Sequence, residues 1–356
     1  MNCTSFAIIG GGFRTQSFLR VASELSELFD VCGMVVRDQG KGHAIEQKWG
    51  VKTYRTLDQL LDAASPDFIV ISVTAPASEH YIVQLASHGI PVLVETPPSR
   101  DLEGLIELYR TIPPHAKVQV AEQYQFHPMH AARITLVQSG ALGCISQASV
   151  SVSHGYHGMS LMRKFLGVGF ENASIRAMSF ESPIVAGPTR GGPPTYESVV
   201  MNRRDIAWFE FEHSLGIYDF AKDQHRSWIR SSYVSIRGER GEIQNHSVNR
   251  LADYAVPQHL TFHRINRGEE ENVEGYFLSG IMLGDKWIYQ NPFPCARLYD
   301  DEIAVATCLV KMAAYVWGGD SFYDLREAAQ DQYLALLMEE AIQSGSTVIS
   351  QSQPWA

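Results

Sequence analysis

Residues 5–15 of the chain read SFAIIGGGFRT, and this stretch is the most informative one about the fold. A short apolar run ends in three consecutive glycines, and residues 13–28 then carry apolar side chains at helical spacing. The run predicts a buried strand and the amphipathic stretch predicts a helix, because side chains repeat with a period of two residues in a strand and about 3.6 in a helix. The segment therefore predicts a strand, a glycine turn and a helix.

The same alternation continues as far as residue 124. Five apolar runs, at 5–10, 29–36, 67–74, 91–96 and 117–124, alternate with amphipathic stretches at 13–28, 42–50, 57–64, 78–89 and 102–112. Continuous apolar runs are typical of parallel strands that are buried on both faces, and strand-helix alternation is typical of a sheet with helices on both sides. The fold class predicted for this part is α/β, with a doubly wound parallel sheet.

Beyond about Pro128 the pattern changes. A helix at 129–140 precedes segments that resemble strands, several of them alternating in polarity, at 144–153, 171–182, 198–212, 214–221, 228–238 and 241–251; helical stretches follow at 303–317 and 325–345. Such alternation predicts a mainly antiparallel sheet with one solvated or helix-covered face. We therefore predict two domains, 1–125 and 126–356, the second of α+β class. The turn-rich segment Pro183–Pro194 is predicted to be a loop, which either borders a substrate site or only connects two strands.

Composition and charge exclude several functions. The 356 residues include 29 Lys and Arg against 39 Asp and Glu, a formal net charge of −10 with no dense basic run, and binding of nucleic acid requires clustered cations. No apolar stretch reaches the ~18 residues of a membrane span, and the N-terminal segment lacks the basic region of a secretory signal. Five cysteines without C-x-x-C spacing argue against a disulfide framework and a zinc site. We expect a cytoplasmic protein with no metal, no nucleic-acid partner and no membrane partner.

The glycine turn predicts a dinucleotide site. Gly10 and Gly12 match the first two glycines of the G-x-G-x-x-G pattern, which allow a tight turn and a close approach of the backbone to a pyrophosphate. Thr15 replaces the third glycine. Phe13 and Arg14 lie in the same turn, where a helix N-terminus supplies N–H donors for an anion.

The end of the second predicted strand leaves the choice of nucleotide open. An acidic residue that binds the ribose of NAD is expected there, but Val36 stands near that position, followed by Arg37 and Asp38. The Arg37 guanidinium either stacks on adenine or pairs with the 2′-phosphate of NADP, or else Arg37 and Asp38 are solvated loop charges. The predicted cofactor is therefore NAD or NADP.

Several motifs resemble those of the Gfo/Idh/MocA family of sugar oxidoreductases. They are TAPASEH at 74–80, ASHGIPVLVETPP at 86–98, and the segments 121–145 and 234–243. The resemblance implies a Rossmann domain, a second domain with an open-faced antiparallel sheet, and a carbohydrate substrate bound between the nicotinamide and that sheet. It also implies a homo-oligomer formed through the open sheet. It further implies that a set of residues lines the cofactor site: Thr74, Pro76, His80, Glu95, Thr96 and Gln123.

Two departures from the family pattern affect the chemistry. The family's E-K-P motif reads Glu95-Thr96-Pro97, so its lysine is replaced by a hydroxyl that cannot act as a base near neutral pH. In the D-x-G-x-H motif, the aspartate position is Ser153 while the histidine is retained as His157.

The retained histidine is the predicted general acid/base, because oxidation of an alcohol by a nicotinamide needs a group that accepts the hydroxyl proton near the working pH. Tyr124 and Tyr156 are further catalytic candidates. His154 and Arg163 are predicted to contact the substrate, with Arg163 on the same side of one helix as His157. For the histidines and tyrosines of this set, a structural role in the core is the alternative.

Three functions follow from these residues. The first is an NAD(P)-dependent oxidoreductase acting on a sugar, polyol or sugar derivative. The second, motivated by the missing lysine, is a redox-assisted glycosidase, lyase or epimerase that retains its nicotinamide. The third is a ligand sensor of the same fold without catalysis.

Overall fold

The computed structural model describes residues 3–268 and 276–356. The N-terminal part forms a six-stranded parallel sheet in the order β3-β2-β1-β4-β5-β6. Its strands are β1 (Thr4–Ile9), β2 (Phe29–Val35), β3 (Thr53–Tyr54), β4 (Phe68–Ile71), β5 (Val92–Val94) and β6 (Val118–Val120). The intervening helices are α1 (Thr15–Glu24), α2 (Gln39–Trp49), α3 (Leu57–Ala63), α4 (Ala75–Ser87) and α5 (Leu102–Thr111). The predicted doubly wound sheet is confirmed, although the two-residue β3 is too short to produce an apolar run in the sequence.

The C-terminal part forms an eleven-stranded sheet in the order β16-β15-β14-β13-β12-β11-β7-β10-β9-β8-β17. Its strands are β7 (Ile145–Ser151), β8 (Ser174–Val185), β9 (Val199–Glu210), β10 (Leu215–Ala221), β11 (Tyr233–Gly238), β12 (Gly241–Gln244), β13 (Ser247–Asp253), β14 (Val256–Arg267), β15 (Phe277–Leu283), β16 (Lys286–Gln290) and β17 (Val348–Ile349). The helices are α6 (Pro128–Gln138), α7 (Gly155–Leu166), α8 (Asp300–Val316) and α9 (Leu325–Ser344). Among the strands that the structure describes in this sheet, β7 and β10 are the one parallel pair, so the mainly antiparallel sheet is confirmed.

The predicted loop at Pro183–Pro194 begins too early. β8 continues through Val185, and Pro183 pairs with Met201 of β9. The connection between the two strands is therefore residues 186–198. The turn formers in the sequence indicate the loop correctly, but they do not show that pairing with β9 extends the strand past the first proline.

The two parts of the chain share their cores. Helix α8 packs on α1, so that Leu309 and Met312 belong to one buried cluster with Phe18 of the first sheet's helix layer. Helices α7 and α9 pack on one face of the larger sheet. Among the described residues, no helix is both long enough and apolar enough to cross a membrane.

Trp355 anchors the C-terminal segment. Its side chain is fully buried, and its indole Nε1 donates to the Gln330 side chain at 3.0 Å. Its ring packs edge-on against Tyr109 of α5 and Tyr333 of α9, with centroids 6.4 and 6.2 Å away. The residue therefore joins helices from both parts of the chain.

Replacing Trp355 by alanine is expected to lower the free energy of unfolding by about 3–5 kcal/mol, because a large buried aromatic side chain leaves a cavity. Chemical denaturation followed by circular dichroism measures the change. Trp317→Ala is the matched control, since that side chain is 75% exposed and its loss is expected to change stability by less than about 0.5 kcal/mol. Equal effects of the two substitutions would show that Trp355 is not an anchor.

Candidate active site

The glycine turn has the geometry that a bound pyrophosphate requires. Gly10 has φ +124°, and a Cβ there would lie 2.1 Å from the carbonyl oxygen of Ser72, so only glycine fits. A Cβ at Gly12 would meet no atom within 4 Å, which leaves open space beside the turn. The first turn of α1 contains no acidic residue, and no side chain caps it. Its N–H groups and helix dipole therefore suit an anion.

Thr15 occupies the position of the third glycine without separating helix from sheet. It is fully buried, and its hydroxyl lies 3.3 Å from the hydroxyl of Ser72, which follows β4. The extra side chain is thus accommodated by a polar partner.

A cleft of about 530 Å³ opens beside the glycine turn, at the carboxyl ends of β1, β2 and β4. Parallel α/β sheets bind nucleotides at this edge, where the strand order reverses. Its lining includes Ile9, Gly10, Gly11, Val35, Val36, Arg37, Asp38, Lys41, Val73, Ala77, His80 and Tyr81. Of the predicted cofactor residues, Gly10, Arg37 and His80 thus share one cleft. Thr74 and Pro76 lie at the N-terminal end of α4, beside it.

The charges at the end of β2 have different roles. The Asp38 carboxylate accepts a hydrogen bond from the Lys41 backbone N–H at 2.7 Å and caps α2. Arg37 and Lys41 are exposed and form no ion pair with any described residue. Two cations therefore remain free at this end of the cleft, of which Lys41 was not foreseen from the sequence.

Arg14 points from the glycine turn toward the ends of β5 and β6. Its Nε donates to Glu95 at 2.9 Å, and its Nη1 donates to Asp301 at 2.7 Å. With the Gln123 amide oriented to donate to the Ala121 carbonyl, its oxygen accepts from Arg14 Nη2 at 3.0 Å. Three residues predicted to bind cofactor, Arg14, Glu95 and Gln123, therefore form a polar network with one another.

Asp301 completes this network from the start of α8. It lies 3.3 Å from Nε2 of His127, and hydrogen bonds and charge from His127 and Arg14 outweigh burial to hold its pKa far below the ordinary range. The sequence shows only three acidic residues, Asp300 to Glu302, at a helix start, where they favour the helix dipole. A partner 287 residues away in the chain gives no local signal.

His157 is paired with a buried carboxyl group. Its Nδ1 lies 2.5 Å from Oε2 of Glu122, which has no exposed surface, while His157 itself is 7% exposed. Burial raises the pKa of Glu122 to about 8, and burial followed by the charge of Arg14 lowers the pKa of His157 to about 3. Nε2 of His157 forms no hydrogen bond with the described residues and is available to a ligand.

The His157 ring is held by aromatic contacts. The centroid of the Tyr124 ring lies 4.5 Å from that of His157. The Tyr124 ring also stacks on His127, with ring centroids 4.9 Å apart. The Tyr124 hydroxyl accepts a hydrogen bond from Ser153 at 2.9 Å, and burial raises the pKa of Tyr124 to about 12. Tyr124 thus remains a neutral phenol that orients His157, and Ser153 holds the phenol in place.

His154 stands next to the pair at the N-cap of α7. Its ring centroid is 4.7 Å from that of His157, and the residue is exposed.

Among the described residues, no group of three or more His, Cys, Asp or Glu side chains is placed to hold a metal ion.

The Tyr156 ring packs edge-on against His157, with ring centroids 5.4 Å apart, but its hydroxyl is engaged outside this cluster. Its hydroxyl lies 3.1 Å from that of Tyr323, which donates to Asp331, and all three side chains are buried. Burial raises the pKa of Tyr156 well above its ordinary value. The residue packs α7 against α9 and has no free polar atom for catalysis.

Arg163 also lies elsewhere. Its guanidinium donates to the Gly169 carbonyl at 2.6 Å and to Asp331 at 2.8 Å, and it is 3% exposed. The expectation that Arg163 shares a side of α7 with His157 is wrong, because six residues at about 100° each place it roughly 240° around the helix. It joins α7 to α9, away from the predicted substrate site.

Glu122 is the residue that sequence reasoning missed. It immediately precedes Gln123 and Tyr124, which were both predicted, and it follows the buried strand β6. The rule that ligands bind beyond the carboxyl ends of parallel strands is the signal that could have found it. Its partner His157 lies 35 residues further along the chain, so the pair itself has no sequence signature.

The fold and the cleft define a dinucleotide-binding α/β domain joined to a large open sheet. Residues 4–124 match the model of the Gfo/Idh/MocA family, described as an oxidoreductase family with an NAD-binding Rossmann fold. This part of the chain is therefore similar to that NAD-binding family, and the resemblance of the sequence motifs is confirmed over these residues.

Inositol 2-dehydrogenase of Leifsonia xyli subsp. xyli is 31% identical over 137 residues, which span 37% of this chain and 39% of that enzyme. A myo-inositol dehydrogenase from Corynebacterium glutamicum is similar in structure, with 16% identity, a TM-score of 0.67, and coverage of 98% of this chain and 99% of the other. Levoglucosan dehydrogenase in complex with NADH and L-sorbose has 14% identity and a TM-score of 0.70, covering 99% and 100%. At these identities the two structures show the fold, and they show it for both parts of the chain.

Proposed function

We propose that the protein is an NAD(P)-dependent oxidoreductase that oxidises a secondary alcohol of a sugar, polyol or sugar derivative, with His157 as the proton acceptor. The observation that carries the proposal is the Glu122–His157 pair beyond the carboxyl end of β6, in which Nε2 of His157 forms no hydrogen bond with the described residues. Support comes from the relatives: one is an inositol 2-dehydrogenase, and a structural neighbour binds NADH and L-sorbose. The glycine turn fits a dinucleotide because Gly12 leaves open space and α1 presents an uncapped N-terminus.

A bound nicotinamide would supply the acceptor for the hydride that leaves the substrate carbon. The residues of the glycine turn and of the cleft would hold its pyrophosphate and adenosine ends. His157 then takes the hydroxyl proton on Nε2 while its Nδ1–H donates to the Glu122 carboxylate. That carboxylate stabilises the imidazolium that forms, and Tyr124 holds the ring in place.

Arg14 is a positioning residue in this scheme. Its guanidinium joins the glycine turn to Glu95, Asp301 and Gln123, and Gln123 adjoins Glu122 in the chain. It therefore fixes the end of β6, which presents Glu122, relative to the dinucleotide cleft. Thr96 supplies no cation here, whereas Arg14 is a permanent positive charge that pairs with Glu95, the residue before Thr96.

The test is a panel of polyols and sugars incubated with NAD+ or NADP+, with nicotinamide absorbance as the readout. Accumulation of reduced nicotinamide with at least one compound is expected. Product formation without accumulation, together with solvent deuterium in the sugar, would instead support the redox-neutral lyase, glycosidase or epimerase. Binding of a sugar without either change would support a ligand sensor.

The choice between NAD and NADP is predicted to depend on Arg37. Because Arg37 after β2 and Lys41 in the first turn of α2 form no ion pair with the described residues, they can pair with a 2′-phosphate. Replacing Arg37 by alanine is expected to weaken NADP(H) binding about 10-fold or more, because a hydrogen bond between charged groups is lost. The affinity for NAD(H) is expected to change little. Fluorescence titration with NADPH and NADH measures both constants. An equal loss of affinity for NADPH and NADH would instead indicate that Arg37 stacks on the adenine.

We further propose that the protein forms a homo-oligomer through the open face of the larger sheet. Met178, Phe180 and Trp208 are exposed on β8 and β9, and an apolar face of this kind is typical of an interface. Phe180→Asp is expected to shift the protein toward monomer in sedimentation experiments, whereas Tyr254→Asp, at an exposed hairpin tip, is not. A wild-type monomer would contradict the proposal.

A further inference from the structure

The turn that joins β2 to α2 carries a residue predicted to select the nucleotide. It consists of Val36, Arg37 and Asp38, and all three line the dinucleotide cleft. Arg37 is exposed and forms no ion pair with the described residues, so no charged partner holds its side chain in place. Its position in the cleft therefore depends on how firmly the backbone on either side of it is held.

One side chain holds that backbone on both sides of Arg37. Arg55 directly follows β3, and its Nη1 donates to the Val36 carbonyl and, at 3.1 Å, to the Asp38 carbonyl. Its Nη2 donates to the hydroxyl of Thr53. A guanidinium can serve several oxygens at once because its N–H donors form a rigid planar fork. Arg55 thus ties the β2–α2 turn to β3.

Helix α2 keeps the Arg55 guanidinium in this place. The Glu46 carboxylate accepts from the backbone N–H of Thr53 at 2.8 Å and from its hydroxyl at 2.7 Å. That hydroxyl therefore donates to Glu46 while it accepts from Arg55. Gly42 leaves the space that the guanidinium fills, since a Cβ there would lie 2.5 Å from Nη1 and 2.7 Å from Nη2 of Arg55. The guanidinium is therefore held by hydrogen bonds, in a space that a side chain at position 42 would occupy.

The charges at this turn suit a phosphate group. Arg55 adds a third cation to Arg37 and Lys41, and it forms no ion pair with the residues that the structure describes. The Asp38 carboxylate accepts from the Lys41 backbone N–H and caps α2. Because Arg55 donates to two carbonyl oxygens of the turn, it also offsets their partial negative charge. The turn and its immediate partners therefore carry a net positive charge, which favours a 2′-phosphate.

We propose that Arg55 is a positioning residue that holds the β2–α2 turn in the shape that recognises a 2′-phosphate, and that it thereby raises the selectivity for NADP over NAD. The inference rests on the proposed NAD(P)-dependent function and on Arg37 as the residue that pairs with the phosphate. Arg55 acts through Arg37, because the two carbonyls that it binds flank that residue in the chain. Charge alone does not reproduce this effect, since a lysine ammonium is a point charge and lacks the fork that reaches both carbonyls.

The test compares 2′,5′-ADP with AMP, two probes that differ by the 2′-phosphate and need neither substrate nor turnover. Calorimetric titration measures both dissociation constants, and their ratio is the selectivity. The wild type is expected to bind 2′,5′-ADP about 10-fold or more tightly than AMP, the value of a hydrogen bond between charged groups. Arg55→Gln and Arg55→Lys are each expected to remove most of that ratio, while the Kd of AMP changes little.

Gly42→Ala tests the same contact with Arg55 intact. An added Cβ forces the guanidinium and the Thr53 hydroxyl to move, whereas alanine favours a helix more than glycine does. The selectivity is therefore expected to fall as in Arg55→Lys, and Tm from thermal unfolding shows that the fold is intact. Arg110→Gln is the matched control, because Arg110 is exposed in the last turn of α5 and its loss is expected to leave the selectivity unchanged.

Other results overturn the assignment in distinct ways. A wild-type ratio near one would show that this turn does not recognise the 2′-phosphate, although reduction of NAD+ by a sugar would still uphold the oxidoreductase function. Wild-type selectivity in Arg55→Lys would show that Arg55 supplies charge and not position. Equal loss of affinity for both probes in Arg55→Lys and Gly42→Ala would assign Arg55 to the integrity of the whole cleft. Conversely, the expected ratios without nicotinamide reduction by any sugar would leave the inference standing and overturn the proposed function.

Discussion

Replacing His157 by glutamine is expected to lower kcat for alcohol oxidation by about 10²–10⁴-fold, the usual contribution of a general base. Glutamine keeps a polar group near Glu122 but has no lone pair that takes a proton at neutral pH. Steady-state reduction of the nicotinamide measures kcat, and fluorescence titration of NADH shows whether the dinucleotide site is intact. Among the described residues, no hydrogen bond or ring contact joins His157 to the glycine turn, so the Kd of NADH is expected to change little.

The matched control is His88→Gln, at the exposed C-terminal end of α4. Its kcat is expected to equal that of the wild type. If His157→Gln retained wild-type kcat while Arg14 and Glu95 variants lost it, another group would be the proton acceptor.

Replacing Glu122 by glutamine is expected to lower kcat by about 10²–10³-fold, the cost of removing one preorganised electrostatic group. The amide oxygen can still accept the Nδ1–H of His157, so the ring is held. It carries no negative charge, however, and so it does not stabilise the imidazolium. The loss is therefore expected in kcat, with a smaller change in KM.

The same substitution is expected to change the pH profile. Burial raises the pKa of Glu122 to about 8, so below that pH the pair holds an extra proton and Nε2 of His157 is not free to accept another. Above it, Glu122 is a carboxylate, Nδ1 keeps its proton and Nε2 is a base. Oxidation should therefore speed up as pH rises through about 8, and reduction of the carbonyl product should slow down over the same range. In Glu122→Gln no carboxyl group titrates, and the rise near pH 8 is expected to disappear; a persistent rise would assign it to a different group.

The glycine turn and the strand-helix alternation were sufficient to predict the first sheet, because buried parallel strands and amphipathic helices have distinct local patterns. For the larger sheet, the mainly antiparallel class was predicted correctly, but several of its strands were not identified. β14, β15 and β16 were not identified, and much of β14 is exposed and polar, as in the stretch Val256–Arg267. Its pairing with β13 and β15 is a long-range property that no local pattern encodes.

In the candidate active site, too, local sequence motifs predict some residues, while long-range contacts determine the position of others. His157 was predicted from a motif and lies where a base is needed, whereas Glu122 and Asp301 depend on contacts between distant segments. Arg163 was expected on the same side of α7 as His157, but a separation of six residues places it roughly 240° around the helix. Arg14 was expected at the cofactor, yet its strongest contacts are carboxylates supplied by β5 and α8.

The most direct test of the account is a single-turnover measurement of nicotinamide reduction as a function of pH, in the wild type and in His157→Gln, with a polyol or sugar that the panel identifies. The Glu122–His157 pair predicts that reduced nicotinamide accumulates in the wild type, faster above pH ~8 than below it, and that His157→Gln loses about 10²–10⁴-fold of that rate. Equal rates in the two proteins, or sugar conversion with no accumulation of reduced nicotinamide, would contradict the account.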